Sequence, residues 1–200
     1  MDSINILVVE DNPADLRLIR EGFVELTQPQ FKIFAANRLA QGLDQLLTEP
    51  VDVVLLDLSL PDSSGIETLK RVHTAAAKIP IIVLTGLDDE ALGLEAMRHG
   101  AQDYLVKGQT DFKRLARILL FAMERKRIEH LQQLSYEILG ILNEPGAFSV
   151  MANRILAAIQ RDTQCDAVSI RLRVGEDYPF FVQNGFAEAD GICRDENGKP

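Results

Sequence analysis

The hydrophobic pattern is dominated by two stretches in which neighbouring positions are apolar instead of alternating. Val51, Val53, Val54, Leu55 and Leu56 fall within VDVVLLDL, and Ile4, Ile6, Leu7, Val8 and Val9 within INILVV, where only Asn5 interrupts. A segment apolar on both faces must be covered on both. That is how a central strand of a parallel sheet reads, because helices pack on each of its sides. Helical spacing follows the first stretch at Leu16, Ile19, Phe23 and Leu26, opened by Asn12-Pro13 and stopped by Thr27-Gln28-Pro29. Phe31 to Ala35 then alternates as a short strand, and Asn37 is the expected cap of a helix through Leu39, Leu43, Leu46 and Leu47. Past the central strand a turn-rich loop leads into a helix through Ile66, Leu69 and Val72, and Pro80 opens a strand over Ile81 to Leu84. Asp88 is the expected cap of a helix with Leu92, Leu94, Ala96 and Met97, closed by Gly100, before a last strand at Asp103 to Val106. Five strands alternating with helices over about a hundred residues predict an α/β fold, a doubly wound five-stranded parallel sheet with right-handed crossovers.

The polar residues that end these strands change the picture. Glu10 and Asp11 follow the first strand, Asp57 ends the central one, Thr85 the fourth, and Lys107 follows the fifth. In open α/β sheets the carboxyl edge is where ligands sit, and an unpaired buried carboxylate costs several kcal/mol. One acid at such a place is ordinarily a helix cap or a solvated loop residue, and Asp15, in the first turn of a helix, suits the helix dipole. Five chemically distinct residues at strand ends in one register are harder to explain that way. Three converging carboxylates would raise one another's pKa unless a cation sat among them. Mg²⁺ fits, since it takes hard oxygen ligands and needs only one or two carboxylates from the protein. An ionised Asp57 is then a nucleophile for a phosphoryl group, with Lys107 and Thr85 placed to bind phosphoryl oxygens.

The motifs are EDN after the first strand, LLDLSLPDSSG around Asp57, LTG after the fourth strand and DYLVKG at the fifth. Over residues 1–125 the chain resembles the receiver domain of two-component response regulators, whose fold is flavodoxin-like. The resemblance implies that Asp57 is the phosphoacceptor, with Glu10, Asp11 and the backbone carbonyl of Ser59 joining it around Mg²⁺. It implies too that Thr85 and Lys107 are the switch pair, with Tyr104 the aromatic ring that follows the threonine, and that a histidine kinase or phosphotransfer protein supplies the phosphoryl group. The family usually has proline after the lysine, where this chain has Gly108. An aspartyl-phosphate phosphatase is the alternative, but that class usually carries a second acid two residues after the first, and Ser59 stands there. A nucleotide-binding Rossmann domain is weakened by EDNPAD where a glycine-rich loop should follow the first strand.

Beyond the receiver-like part, residues 111–142 keep a helical pattern through Leu115, Leu119, Ala122, Ile128, Leu131, Leu134, Ile138 and Leu142, roughly twice the length of an average globular helix. Seven-residue steps such as Phe121 to Ile128 and Leu131 to Ile138 suit a coiled-coil seam, although the step from Ile128 to Leu131 interrupts it, and a homodimer through residues 115–142 is expected. His130 lacks the flanking residues of a phosphorylatable kinase histidine and reads as a surface residue. Asn143-Glu144-Pro145-Gly146 breaks the pattern. A helix with Phe148, Met151, Ile155, Leu156 and Ile159 follows, then strands at Ala167 to Val174 and Tyr178 to Gln183 and a turn at Asn184-Gly185-Phe186. Residues 144–200 thus resemble the start of a GAF domain, a small-molecule sensor, cut short by a loop at Asp195 to Pro200, with Cys193 an ordinary small apolar residue.

Composition narrows the partners. The chain has 200 residues and a formal net charge of -9, which opposes nucleic acid and anionic membrane as main partners. No apolar run approaches the roughly 20 residues of a membrane span, no basic region precedes INILVV, and two cysteines form no metal motif, so a cytoplasmic home is expected. The expected function is a phosphorelay receiver that passes its change through a long dimer helix to a sensor or output region.

Overall fold

The computed structural model describes residues 3–26, 29–86, 90–108, 111–173 and 175–185. The expected roles of Thr27 and Gln28, Asp88, Val174, Phe186, Cys193 and Asp195 to Pro200 fall outside them. The chain divides into two compact units, residues 1–129 and 130–200.

In the first unit β1 (Ile4–Val9), α1 (Pro13–Val24), β2 (Phe31–Ala36), α2 (Leu39–Thr48), β3 (Val53–Asp57), α3 (Gly65–Ala75), β4 (Ile81–Thr85), α4 (Glu90–Arg98) and β5 (Asp103–Val106) alternate as expected. The sheet runs in the order β2-β1-β3-β4-β5, all parallel, so the strand order reverses between β1 and β3. A crevice opens at such a reversal, outside the carboxyl ends of the strands. The continuous apolar runs divide by parity. Leu7, Val9, Val54, Leu56 and Val83 pack with Leu39, Leu69, Val72 and Ala96 on one face of the sheet. Ile6, Val8, Val53, Leu55 and Ile82 pack with Ile19, Phe23, Leu115, Leu119 and Ala122 on the other.

The helix starts show where local reading works and where it does not. Asn12 caps α1 as expected, its side chain accepting from Ala14 N at 2.9 Å. Asn37 does not cap α2. The cap residue is Arg38, which gives no side-chain bond, and Asp62 supplies it from another loop by accepting from Leu39 N at 2.8 Å and Ala40 N at 2.9 Å. These two hydrogen bonds, from Ala40 N and Leu39 N, hold the Asp62 carboxyl below the usual carboxylate range. The turn-rich loop after β3 closes as a small antiparallel pair, Ser59–Leu60 with Ser63–Ser64. Gly100 ends α4 at φ +100°, a conformation that favours glycine.

The long helix α5 runs unbroken from Phe112 to Asn143, 32 residues, and the unit boundary falls within it. Its first turns belong to the sheet's core through Leu115, Leu119 and Ala122. In the second unit its later turns meet α6 (Phe148–Thr163) through bonds from Arg161 to Glu137 at 2.7 Å and an ion pair between Arg154 and Glu144. His130 is not a plain surface residue: its ring is half-buried and paired with Asp162 of α6. The strands after α6 are shorter than expected, β6 at Val168–Arg171 and β7 at Phe180–Asn184, with Asn184 still in the strand and not in the turn, and the pair goes out of register at Ile170/Arg171. They are antiparallel, and Ala152, Leu156 and Val182 make their core with α6. Within the Arg125-Lys126-Arg127 run of α5, Arg125 is structural, donating to the Gln102 carbonyl. Among the described residues no helix is long and apolar enough to cross a membrane.

Candidate functional site

Each strand end delivers a side chain to one rim. Asp57 is the last residue of β3 and is buried, and Glu10 follows β1 and is 1% exposed. Asp11 is exposed, yet one ligand oxygen from each of Glu10, Asp11 and Asp57 lies within 4.8 Å of the others. Lys107 arrives from β5, whose register against β4 is kept one residue further by Lys107 N donating to Thr85 O at 2.9 Å.

The lysine holds the acids together. Its Nζ donates to Asp57 Oδ2 at 2.7 Å and to Asp15 Oδ2 at 3.3 Å. It also lies 2.6 Å from Glu10 Oε2, a charge contact that leaves this buried oxygen without a hydrogen bond. Burial raises the Glu10 pKa, the Lys107 ammonium opposes that, and the nearby Asp57 charge reinforces it. Burial works against the Lys107 charge as well, but the bond to Asp57 and the charges of Asp57 and Glu10 prevail and hold the ammonium above the ordinary lysine range. Lys107 is therefore charged throughout the physiological range, and Glu10 stands as an acid whose ionisation calls for more positive charge than one lysine supplies.

Asp57 Oδ1 accepts from Ser59 N at 2.9 Å, so the structure ties Ser59 to the site through its N–H. Thr85 is buried, and its hydroxyl donates to the Leu105 carbonyl at 3.4 Å. Tyr104 is half-buried against the α2-α3-α4 side of the sheet. Its ring rests on Gly93 of α4, where an added Cβ would stand 2.4 Å from the ring. Gly108 takes φ +75°, which proline, fixed near -65°, cannot adopt. The chain thus leaves the site by a different backbone path from the one proline would impose.

Asp15 was expected only to serve the helix dipole, and its contact with Lys107 is additional. The signal was in the sequence: in Asn12-Pro13-Ala14-Asp15 the acid sits third after a cap, at the helix end that opens beside Glu10 and Asp11.

Arrangement and fold together define a doubly wound α/β protein with an acid pocket at its switch point. The family model for the response regulator receiver domain matches residues 6–119. Curated relatives include the KDP operon transcriptional regulatory protein KdpE of Escherichia coli, 37% identical over 103 residues that cover 52% of this chain and 44% of that protein. The response regulator ArlR of Staphylococcus epidermidis is 32% identical over 149 residues, 74% of this chain and 64% of its own length. Among solved structures, a response regulator receiver domain protein from Clostridium thermocellum aligns with a TM-score of 0.55 at 28% identity, covering 62% of this chain and 98% of that one. The signal receiver domain of an HD domain-containing protein from Pseudomonas fluorescens Pf-5 gives 0.56 at 27%, covering 64% of this chain and 93% of that one. The chain belongs to the response regulator receiver family. It spans 36% of the transcriptional regulatory protein ZraR of Klebsiella oxytoca, 28% of that of Escherichia coli O157:H7 and 64% of ArlR, so less than two thirds of each of these curated relatives.

Proposed function

We propose that Asp57 is the phosphoacceptor of a two-component phosphorelay. One observation carries this: a carboxylate at the end of a buried strand, with Oδ1 held by Ser59 N–H and Oδ2 by Lys107 Nζ. Both oxygens are oriented, and the lysine lies where charge on a transferring phosphoryl group would develop. In the transfer an Asp57 oxygen bonds to phosphorus as the P–N bond of a phosphohistidine breaks, the electron pair leaving with the imidazole nitrogen. The donor is a histidine kinase or phosphotransfer protein. Thr85 and Tyr104 then act as the switch, with the threonine hydroxyl leaving the Leu105 carbonyl for a phosphoryl oxygen.

The residues present fit Mg²⁺. Their donors are all hard oxygens, and the buried Glu10 oxygen without a hydrogen bond is where further positive charge is called for. Glu10, Asp11 and Asp57, with the Ser59 carbonyl, would hold the ion. When bound it neutralises charge on the phosphoryl oxygens. Asp57→Asn is expected to abolish labelling of the full chain by acetyl phosphate with Mg²⁺ present, read by intact mass. Persisting label would place the acceptor elsewhere. An aspartyl-phosphate phosphatase, with an acid two residues after the nucleophile, is disfavoured by Ser59 at that position.

We further infer that α5 carries the change onward as a dimer helix. Phe121, Ile128, Leu131 and Leu142 are 67%, 45%, 47% and 48% exposed, and their spacing follows the a and d positions of a heptad, the Ile128 to Leu131 step, expected as an interruption, being an ordinary a-to-d step. The helix followed by an antiparallel pair supports the start of a GAF-like module in residues 144–200. Two relatives are named as transcriptional regulatory proteins, but the formal charge of -9 opposes DNA phosphates, so any DNA contact falls to residues other than these.

A further inference from the structure

Asp15 suits the helix dipole and lies outside the Glu10, Asp11 and Asp57 cluster, yet neither accounts for its contact with Lys107. It stands third after the cap of α1, where an acid ordinarily reaches back to the cap residue's own N–H. Here that N–H is taken, since Asn12 N donates to Glu10 Oε1 at 3.1 Å. Asp15 Oδ2 accepts instead from Asn12 Nδ2 at 3.1 Å and from Lys107 Nζ at 3.3 Å. The asparagine is held in turn by its cap bond to Ala14 N. Pro13 sets φ at the first helical position, so the whole Asn-Pro-Ala-Asp turn presents one oriented carboxylate to the lysine.

An ammonium has three N–H donors, and Glu10, Asp57 and Asp15 surround this one. Two of its donors are bonded, to Asp57 and Asp15, and Glu10 is a charge contact only, so an ammonium that turns fully to a phosphoryl group on Asp57 gives up its bond to Asp15. The contact with Asp15 is the longest of the three, and Asp15 the most exposed of the three acids, at 34% of its side chain. It is the contact that yields most readily.

We propose that Asp15 is a positioning residue that retains Lys107 on the α1 side of the pocket and thereby restrains phosphoryl uptake by Asp57. This rests on the reading of Asp57 as acceptor. In uptake from acetyl phosphate, the Asp57 oxygen bonds to phosphorus as the P–O bond to the acetyl group breaks, acetate leaving with the electron pair. Lys107 stays protonated and turns from Asp15 to the new oxygens.

The test uses the full chain with Mg²⁺, acetyl phosphate as donor, and initial labelling rates by intact mass. Asp15→Asn is expected to raise the rate about three- to fivefold, the upper end of the scale of one partly exposed ion pair, while Asp15→Glu stays near the wild type. In a Lys107→Ala background the same Asp15→Asn change is expected to leave the rate within about twofold, because the effect runs through the lysine. Circular dichroism checks folding, and Asp15→Ala replaces the asparagine variant if the cap is disturbed. A rate equal to or below that of the wild type, or the same acceleration without Lys107, would overturn the positioning role. Failure of the acceptor reading looks different: the wild type would take no label, or Asp57→Asn would take it.

Discussion

The two units spend their apolar residues differently. In residues 1–129 every residue of β3 and β4 is buried, and helices cover both faces of the sheet. In residues 130–200 the described core cluster is Ala152, Leu156 and Val182 with Val168 and Ile170 against it, Ile141 and Ala158 are also buried, and Phe148 and Tyr178 are 54% and 53% exposed. A core of the first kind can hold a misfit such as Glu10, buried and short of positive charge. One of the second kind has little stabilisation to spare, and the exposed ion pairs that join α5 to α6 add little. A site that must store electrostatic tension therefore belongs in the first unit.

The largest expected effect tests that contrast directly. Leu55→Ala, on a fully buried strand, should cost about 3–5 kcal/mol in urea unfolding, and Val182→Ala about 1 kcal/mol. Equal losses would mean that the second unit is better packed than its burial indicates. Next, Gly93→Ala drives a Cβ into the Tyr104 ring and should cost about 1–3 kcal/mol by overpacking, with the ring's resonances shifted in NMR spectra.

Glu10→Gln sharpens the contrast through pH. The Glu10 pKa is raised in the folded state, so its contribution is fully present below its ordinary 4.5 and is lost as pH rises through the raised value. The glutamine variant, which does not titrate, should match the wild type below that point and gain on it towards neutrality, with EDTA present. No pH-dependent difference would show Lys107 alone to be enough. If α5 is the dimer helix proposed above, Leu131→Asp, placing a charge on its exposed apolar stripe, should turn a sedimenting dimer into a monomer with the receiver's melting unchanged. Arg161→Ala is expected to do least, leaving the melting temperature within error, because the pair with Glu137 is exposed.

Much of this was legible in the sequence because the first unit is built from repeated local signals. Runs apolar on both faces can only be central strands, and the polar residues that end them land together once the strand order is set. Asp62 escaped because its role depends on the approach of two loops, 23 residues from the N–H it accepts at Leu39. His130 escaped for the same reason, since its partner Asp162 lies on another helix. Asp15 was visible, but the dipole explained it well enough that a lysine 92 residues away was not sought.

The glycine under Tyr104 also settles how the molecule can be watched. The chain has no tryptophan and three tyrosines, and the other two, Tyr136 and Tyr178, are 73% and 53% exposed. A quencher dissolved in the buffer reaches those two freely. The emission that survives quenching comes from the ring seated on Gly93, so the native chain carries its own optical gauge of that ring, with no dye attached.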